Sequence, residues 1–564
     1  MHTLYYGDNL QVMREHLKDE SVDLIYLDPP FNSKRDYNLL FKSPKGEVAD
    51  ASITAFEDSW HWGIQAEQEF KELLHQPNTD VAQLMQALRS FLGANDMMAY
   101  LTMMANRLLE MHRVLKPTGS LYLHCDPTAS HYLKVVLDAV FGKENFRSEI
   151  NWRRSFAHND AKQGRKQFGN VRDVILFYTR SNDWTWNWQY TDYSPTYLAT
   201  EYRHAIEGRQ YKETDLTANK SGGDVSFTWR VKREVRPNAH WEADLKAEHL
   251  NPKAGCEYKG VTPYSGRFWA YSKENLIALA KAGKLKHRET GMPRLMQFAD
   301  EMPGVALQTD WQDISPAGGN EYLGYPTQKP LALLERIIQA SSNKGDVVLD
   351  PFCGCGTAVH AAQKLKRDWI GIDITHLAIS LIEKRMKDAF GEKLKFDVIG
   401  TPGDLEAARD LCLRDRYQFQ WWATSLVNAQ PFQGKKKGKD GGIDGIKFFH
   451  DADKEGARKI IVSVKSGHLK ADDVRSLLAV REREGAEFGL LICLYPPTKG
   501  MKTDAASAGF YTGANGRDYP RLQILDIPGL LNGTQRAEHP DQLPDMNFKK
   551  AKKETGKKDQ DKLF

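Results

Sequence analysis

The 564-residue sequence predicts an α/β protein with a doubly wound, mostly parallel sheet, followed by a smaller α+β body. Three observations point there. An apolar strand "DLIYLD" ends at Asp28 and another, "DVVLD", ends at Asp350. The second runs through the glycine turn "PFCGCGT" into a helix, then the strand "DWIGID", then a further helix through Arg385. That is β-α-β order, which builds parallel sheets with helices on both faces. Finally, a chain of this length exceeds one hydrophobic core, so it divides into domains.

The elements follow in order. Asp23–Asp28 reads as a buried strand. Met98, Leu101, Met104, Leu108, Met111 and Leu115 recur at three- and four-residue steps, so 97–115 is a helix whose methionines are core. "KPTG" stops it and "SLYLHCD" resumes as a strand. "VILFYTR", Val174–Arg180, is another. From about 151 to 320 no period dominates, and the stretch is polar, aromatic-rich and basic in patches. Pro330 opens a helix in "PTQKPLALLERIIQASS", since proline suits a first turn. "GTPGD", Gly400–Asp404, is a linker, and the α+β body runs from there to about 536.

Composition is that of a soluble globular protein, 41% hydrophobic and 27% charged. The apolar runs fall short of a membrane span. The opening "MHTLYYGDN" has no basic or apolar leader, and the cysteines are scattered apart from one C-x-C. A reduced, cytoplasmic protein with no membrane partner is expected. The stretch Met546–Phe564 carries seven lysines against three acids, which accounts for the whole net charge of +4. It is expected to be a solvated tail, and any nucleic-acid surface elsewhere must be a local patch.

The chemistry lies in two short stretches. In "VVLDPFCGCGT", Gly354 and Gly356 let backbone approach a ligand at the carboxyl edge of the sheet, as adenosine-containing ligands require. Another strand ends at Asp373, placed to accept from ribose hydroxyls. A third glycine, which a dinucleotide site would carry, is missing, and Asp350 precedes the turn; this suits a ligand with a cationic or amino acid end. Cys353 and Cys355 are too few for a zinc site and read as small turn residues, so no metal is assigned. In "LIYLDPPFN", Asp28 stands at a strand tip before Pro29 and Pro30, which offer carbonyls without N–H donors. Phe31 adds a stacking face. Acceptors beside a ring suit an amino group on a planar base, although Asp28 could equally be a turn residue ahead of two prolines.

Together, "DPPF" early and "DPFCGCGT" late resemble the amino-methyltransferases of DNA. These use S-adenosyl-L-methionine to methylate N6 of adenine or N4 of cytosine. The order resembles the β group, a circularly permuted, Rossmann-like class I methyltransferase fold with target recognition between the two motifs. The resemblance covers about residues 1–400. It implies catalysis by Asp28, Pro29, Pro30 and Phe31, with Asp8 of "YYGDN" approaching the cofactor adenine. It implies cofactor binding by Thr327 and Lys329 of "PTQKP" and by Asp350, Phe352, Gly354, Gly356, Thr357 and Asp373. "NFRSEINWRRS" resembles the lead into a recognition region at about 152–320. There Arg153, Arg154, Lys162, Arg165, Lys166, Arg230, Lys232 and Arg233 interleave with aromatics and suit phosphate contact. An aspartate at the first position of the motif leans towards adenine; cytosine N4 stays open. Double-stranded DNA is the implied partner, and a homodimer is allowed. A NAD oxidoreductase would leave "DPPF" unexplained, and a non-catalytic DNA-binding protein would not need it.

The body at 404–536, ahead of the 537–564 tail, resembles Mrr-type nucleases of the PD-(D/E)xK superfamily through "KDGGIDGIKFF" and "KIIVSVKSG". Asp444 and Lys465 match, Ser463 stands where an acid or glutamine belongs, and Glu406 is a candidate auxiliary acid. Mg²⁺ is expected only if this body cuts DNA. A fused restriction–modification enzyme and a non-cutting nuclease fold both stay open.

Overall fold

The structure is a computed structural model. It describes residues 2–30, 36–42, 48–57, 61–156, 166, 168–219, 226–319, 321–325, 327–432, 442–451, 457–540 and 551–554. The chain divides into two units, the first built from 1–187 and 308–556, the second from 188–307.

The first unit holds a nine-stranded sheet. Its strands are β1 (His2–Tyr6), β2 (Val22–Leu27), β3 (Leu115–Cys125), β4 (Phe146–Arg153), β5 (Arg172–Thr179), β6 (Asp310–Trp311), β7 (Val347–Asp350), β8 (Asp368–Asp373) and β9 (Asp397–Ile399). Their order across the sheet is β6-β4-β5-β3-β2-β7-β8-β1-β9. Only β5 runs against its neighbours. The expected doubly wound architecture is present, and the early strands β1 and β2 are interleaved with late ones: β2 pairs with β7, and β1 lies between β8 and β9. That interleaving is the permuted order the motifs imply.

Helices cover both faces. α1 (Asn9–His16) is capped by Asp8, whose carboxylate accepts from the N–H groups of Leu10 and Gln11. α2 (Asp96–Val114) carries the methionine stripe, and Met98, Leu101, Met104, Leu108 and Met111 are fully buried in the larger core cluster. Asn95 caps it, accepting from the Met98 N–H at 2.9 Å. α3 (Leu331–Ser341), α4 (Thr357–Lys364) and α5 (His376–Phe390) follow the late strands. Pro330 is the residue just before α3, with φ −68°. The opposite face packs Leu24, Tyr26, Tyr122, Ile337, Val359 and Ile382.

The carboxyl-terminal body in this unit has α6 (Leu405–Arg414), α7 (Arg416–Ser425) and the strands β10 (Gln430–Pro431), β11 (Gly445–Phe449), β12 (Arg458–Lys465), β13 (Phe488–Cys493) and β14 (Leu522–Asp526). They lie in that order in one sheet, antiparallel through β12 and parallel from β12 to β14. The body continues past 536: Glu538 donates from its N–H to the Gln523 side chain, and the His539 ring packs near Phe449. The tail is not wholly solvated either. The Glu554 N–H donates to the Ala389 carbonyl at 2.9 Å, and its carboxylate meets His360 Nε2 at 3.1 Å.

The second unit begins at residue 188 rather than at 152, because β4, β5 and β6 belong to the large sheet. Its core is Leu216, Trp229, Val231, Trp241, Trp269 and Leu276. The strands are short and the burial alternates irregularly, which is why no period emerged. Among the described residues no helix is long and apolar enough to cross a membrane. All six cysteines are free.

Candidate active site

Parallel strands put their carboxyl ends along one edge, and a ligand crevice opens where the strand order reverses. Here that point is the β2–β7 pair. Leu24 lies opposite Val348 and Ile25 opposite Leu349, so Asp28 and Asp350 follow at adjacent strand tips. β8 adds Asp373 and β1 leads into Asp8. Four acids from distant segments thus line one edge.

One pocket gathers them. Asp8, Asp28, Pro29, Pro30, Asp350 and Asp373 line it, together with Thr327, Lys329, Phe352, Gly354 and Thr357. Gly356 shapes the pocket from behind. Its φ is +74°, and a Cβ there would lie 2.8 Å from Ile382. Only glycine accepts that conformation without strain. Gly354, φ +51°, brings its backbone against the Tyr325 ring, and its N–H donates to Asp373 Oδ2 at 2.8 Å. Phe31 lies outside the described residues.

Several of the expected residues already have partners within the protein. Asp8 faces the pocket but is held by Arg107 Nη2 at 2.6 Å and caps α1. Lys329, expected among the cofactor-binding residues, has its ammonium ion-paired with Asp28. Both side chains are largely buried, at 10% and 15% exposure. Asp373 accepts from the Thr375 N–H and hydroxyl, both at 2.9 Å, so it organises the glycine turn as well as facing the pocket. Burial pushes its carboxyl up to about 6, against the lowering effect of those N–H donors.

Asp350 is the unusual member. It is 4% exposed, and its carboxylate accepts from the Phe352 N–H at 3.1 Å. Burial, reinforced by the neighbouring Asp28 and Asp373, pushes it up to about 8, with the Phe352 N–H and Lys329 opposing. A carboxyl held neutral by burial in a pocket ionises when a cation arrives. The donor set therefore fits a ligand with a cationic centre, and the glycine cradle fits its close approach.

The sequence reading missed Arg107, Tyr325 and Tyr26, which also line the pocket. Arg107 is 5% exposed and bonds Asn9 as well as Asp8. A buried arginine on an otherwise apolar helix face was the available signal, since such a charge needs partners.

The basic residues expected to meet DNA are partly committed elsewhere. Arg154 is ion-paired with the buried Asp173 at 3.3 Å. Arg153 donates to the Gln312 carbonyl. In the second unit Lys232 pairs with Glu248 at 2.7 Å and Arg233 with Glu257 at 2.6 Å. Arg230 and Lys166 are exposed. Lys162 and Arg165 lie outside the described residues.

In the carboxyl-terminal body Asp444 stands just ahead of β11. Its carboxylate accepts from the Val464 N–H at 2.7 Å, the Ser463 hydroxyl at 3.2 Å and the Gln420 side-chain amide at 3.1 Å. Gln420 comes from α7. Glu406 is exposed in the first turn of α6, so the helix residue that reaches Asp444 is an amide and not the acid expected. Lys465 lies on the same strand as Ser463, 3.6 Å from Asp473. Ser463 and Gln420 bring no negative charge beside Asp444, so the set is a weak one for Mg²⁺. Among the described residues no group of three or more His, Cys, Asp or Glu is placed to hold a metal.

A family model described as a DNA methylase matches residues 22–384, and one described as a restriction endonuclease matches residues 414–510. The chain is 30% identical over 325 residues to the type II methyltransferase M.EcaI of Enterobacter cloacae, covering 57% of this chain and 65% of that protein. It is 26% identical over 390 residues to the type III restriction-modification enzyme StyLTI Mod subunit of Salmonella typhimurium, covering 65% of this chain and 50% of that one. It is 24% identical over 385 residues to the type II methyltransferase M.KpnI of Klebsiella pneumoniae, covering 64% and 76%. The chain thus spans less than two thirds of the first two relatives.

Proposed function

We propose that this chain, which belongs to the DNA methylase family, transfers a methyl group from S-adenosyl-L-methionine to N6 of an adenine in double-stranded DNA. The observation that carries the reading is the adjacency of Asp28 and Asp350 at the β2–β7 tips in one pocket. One carboxylate serves the target amine, and the other answers a cation. When bound, the cofactor supplies an electrophilic methyl group on a sulfonium. Asp350, Asp373 and the Gly354–Gly356 turn hold it.

The exocyclic amine is a poor nucleophile because its lone pair is delocalised into the ring. The Asp28 carboxylate and the Pro29 carbonyl accept its two N–H bonds. This localises the lone pair and stabilises the charge that develops on nitrogen. Lys329 fixes the Asp28 carboxylate in place, and a carboxylate retains lone pairs for further donors. The base must leave the duplex to reach this pocket. Adenine is favoured over cytosine by the aspartate at position 28. The test is to incubate the protein with labelled S-adenosyl-L-methionine and mixed-sequence DNA, digest to nucleosides and identify the product. Label in N6-methyl-2′-deoxyadenosine is expected. Label in N4-methyl-2′-deoxycytidine would reassign the base, and none in either would reject the activity.

The carboxyl-terminal body we read as a DNA-binding unit on a nuclease-like fold with little or no cutting. The hydrogen bonds that Asp444 accepts from Ser463, Val464 and Gln420, with serine in place of an acid at 463, support this. Unmethylated plasmid should stay intact over a Mg²⁺ and Mn²⁺ series. Robust nicking by wild type at millimolar Mg²⁺, lost in Lys465→Ala, would instead establish a fused restriction–modification enzyme.

A further inference from the structure

A buried row of polar side chains lies on the strands beneath the pocket. The Tyr26 hydroxyl is 3.1 Å from His124 Nδ1, and His124 Nε2 is 3.0 Å from Asp173 Oδ2. The three come from β2, β3 and β5, neighbours in the sheet. They are 2%, 0% and 3% exposed. Burying three polar groups side by side among apolar residues is costly unless each is satisfied, so a row like this needs a reason.

Its direction depends on where His124 carries its hydrogen. Asp173 is buried beside the Arg154 guanidinium at 3.3 Å. Burial opposes its ionisation, but the His124 hydrogen bond with Lys329 and Arg154 nearby outweighs this and holds it below the usual range. An ionised carboxylate only accepts, so His124 Nε2 carries the hydrogen. In the tautomer that carries its hydrogen on Nε2 alone, which the relay below requires, Nδ1 accepts from the Tyr26 hydroxyl. The hydroxyl's only hydrogen is then spent, and Tyr26, which lines the pocket, offers lone pairs there. Asp28 follows two residues later, just past the end of β2.

Methylation of an amine leaves a proton to dispose of. Asp28 is an awkward acceptor, because a proton placed on it would break its ion pair with Lys329. Resting on the methyltransferase reading, we propose that Tyr26, His124 and Asp173 form the relay that removes this proton. As the amine nitrogen bonds to the methyl carbon, the carbon–sulfur bond breaks and its electron pair stays on sulfur. The nitrogen, now cationic, gives a proton to the Tyr26 oxygen. The Tyr26 proton passes to His124 Nδ1, and the resulting imidazolium faces Asp173. Tyr26 is the catalytic acceptor; His124 and Asp173 are positioning residues that act through it, in the manner of a base oriented by a carboxylate.

The discriminating variant is His124→Gln. Its side chain can accept from Tyr26 and donate to Asp173, so it keeps the hydrogen-bonded row, but it cannot take up a proton. Single-turnover methyl transfer to DNA is expected to fall about 10²-fold in His124→Gln and in Tyr26→Phe, a typical worth for general acid–base catalysis. Cofactor affinity by calorimetry should stay within about twofold, which also verifies folding. Without cofactor or DNA, nitrogen-15 spectra of the wild type should show one Nε2–H histidine signal that disappears in His124→Gln. Wild-type rates in both variants, or an Nδ1–H signal, would overturn the relay alone. A wild type that transfers no methyl group would overturn the activity and the relay together.

Discussion

Asp28→Ala is expected to lower single-turnover methyl transfer by about 10²–10³-fold or more, the effect of removing one preorganised group from a developing charge. Cofactor affinity should hold within a few-fold, because the proposed function sets Asp28 against the base and Asp350 against the cation. The ion pair with Lys329 adds a second consequence. Alanine removes the ion-pair partner of a lysine that is 10% exposed, and breaking a buried pair from one side costs about 3–5 kcal/mol. Partial exposure of both partners pulls the cost below that range. Asp28→Asn, which keeps the shape and one acceptor, should recover part of the stability and little of the rate. Equilibrium unfolding, calorimetry and single-turnover assays separate the three quantities. Near wild-type turnover in Asp28→Ala, or cofactor affinity lost in step with rate, would remove Asp28 from its assigned place.

Cofactor binding should tighten as pH rises from about 6 to about 8. Asp350, raised by burial to about 8, is protonated over that window in the free protein. A cation beside it favours the ionised form, so binding expels a proton and affinity rises by up to about tenfold per pH unit. Above 8 the gain stops. The free protein behaves oppositely. Its folded state holds a proton that the unfolded state has lost above the ordinary value of 3.8, so its stability falls as pH climbs from about 4 towards 8. The slope is at most about 1.4 kcal/mol per unit. Asp28, Asp373 and Lys329 face the same group, and Asp373 titrates near 6, so Asp350→Asn is the necessary control. That variant should lose most of the proton release seen by calorimetry in buffers of different ionisation heat. Unchanged release in Asp350→Asn would assign the proton to another group.

What could be read in the sequence was what neighbours in sequence do together. "DPPF" and "DPFCGCGT" each set their own backbone geometry, so both motifs, the strands behind them and the shared sheet edge were legible. Partners brought from afar were not. Lys329 and Asp28 are 301 residues apart, and His124 and Tyr26 are 98 apart. No local pattern announces such a pairing. The ion pairs of Lys232 and Arg233 were equally hidden, because Glu248 and Glu257 come later in the chain. Glu406 was chosen by charge, whereas helix placement put Gln420 against Asp444.

The position of β1 has a consequence for synthesis. Its register partners are Trp369 to Asp373 on one side and Asp397 to Ile399 on the other. On the ribosome those residues do not exist until more than three hundred others have been made. At about 5–20 residues per second, the amino terminus waits roughly 20–70 s with its strand unpaired. During that interval the nascent chain must keep an apolar segment from premature association, which makes this protein a demanding client for chaperones and its yield sensitive to translation speed.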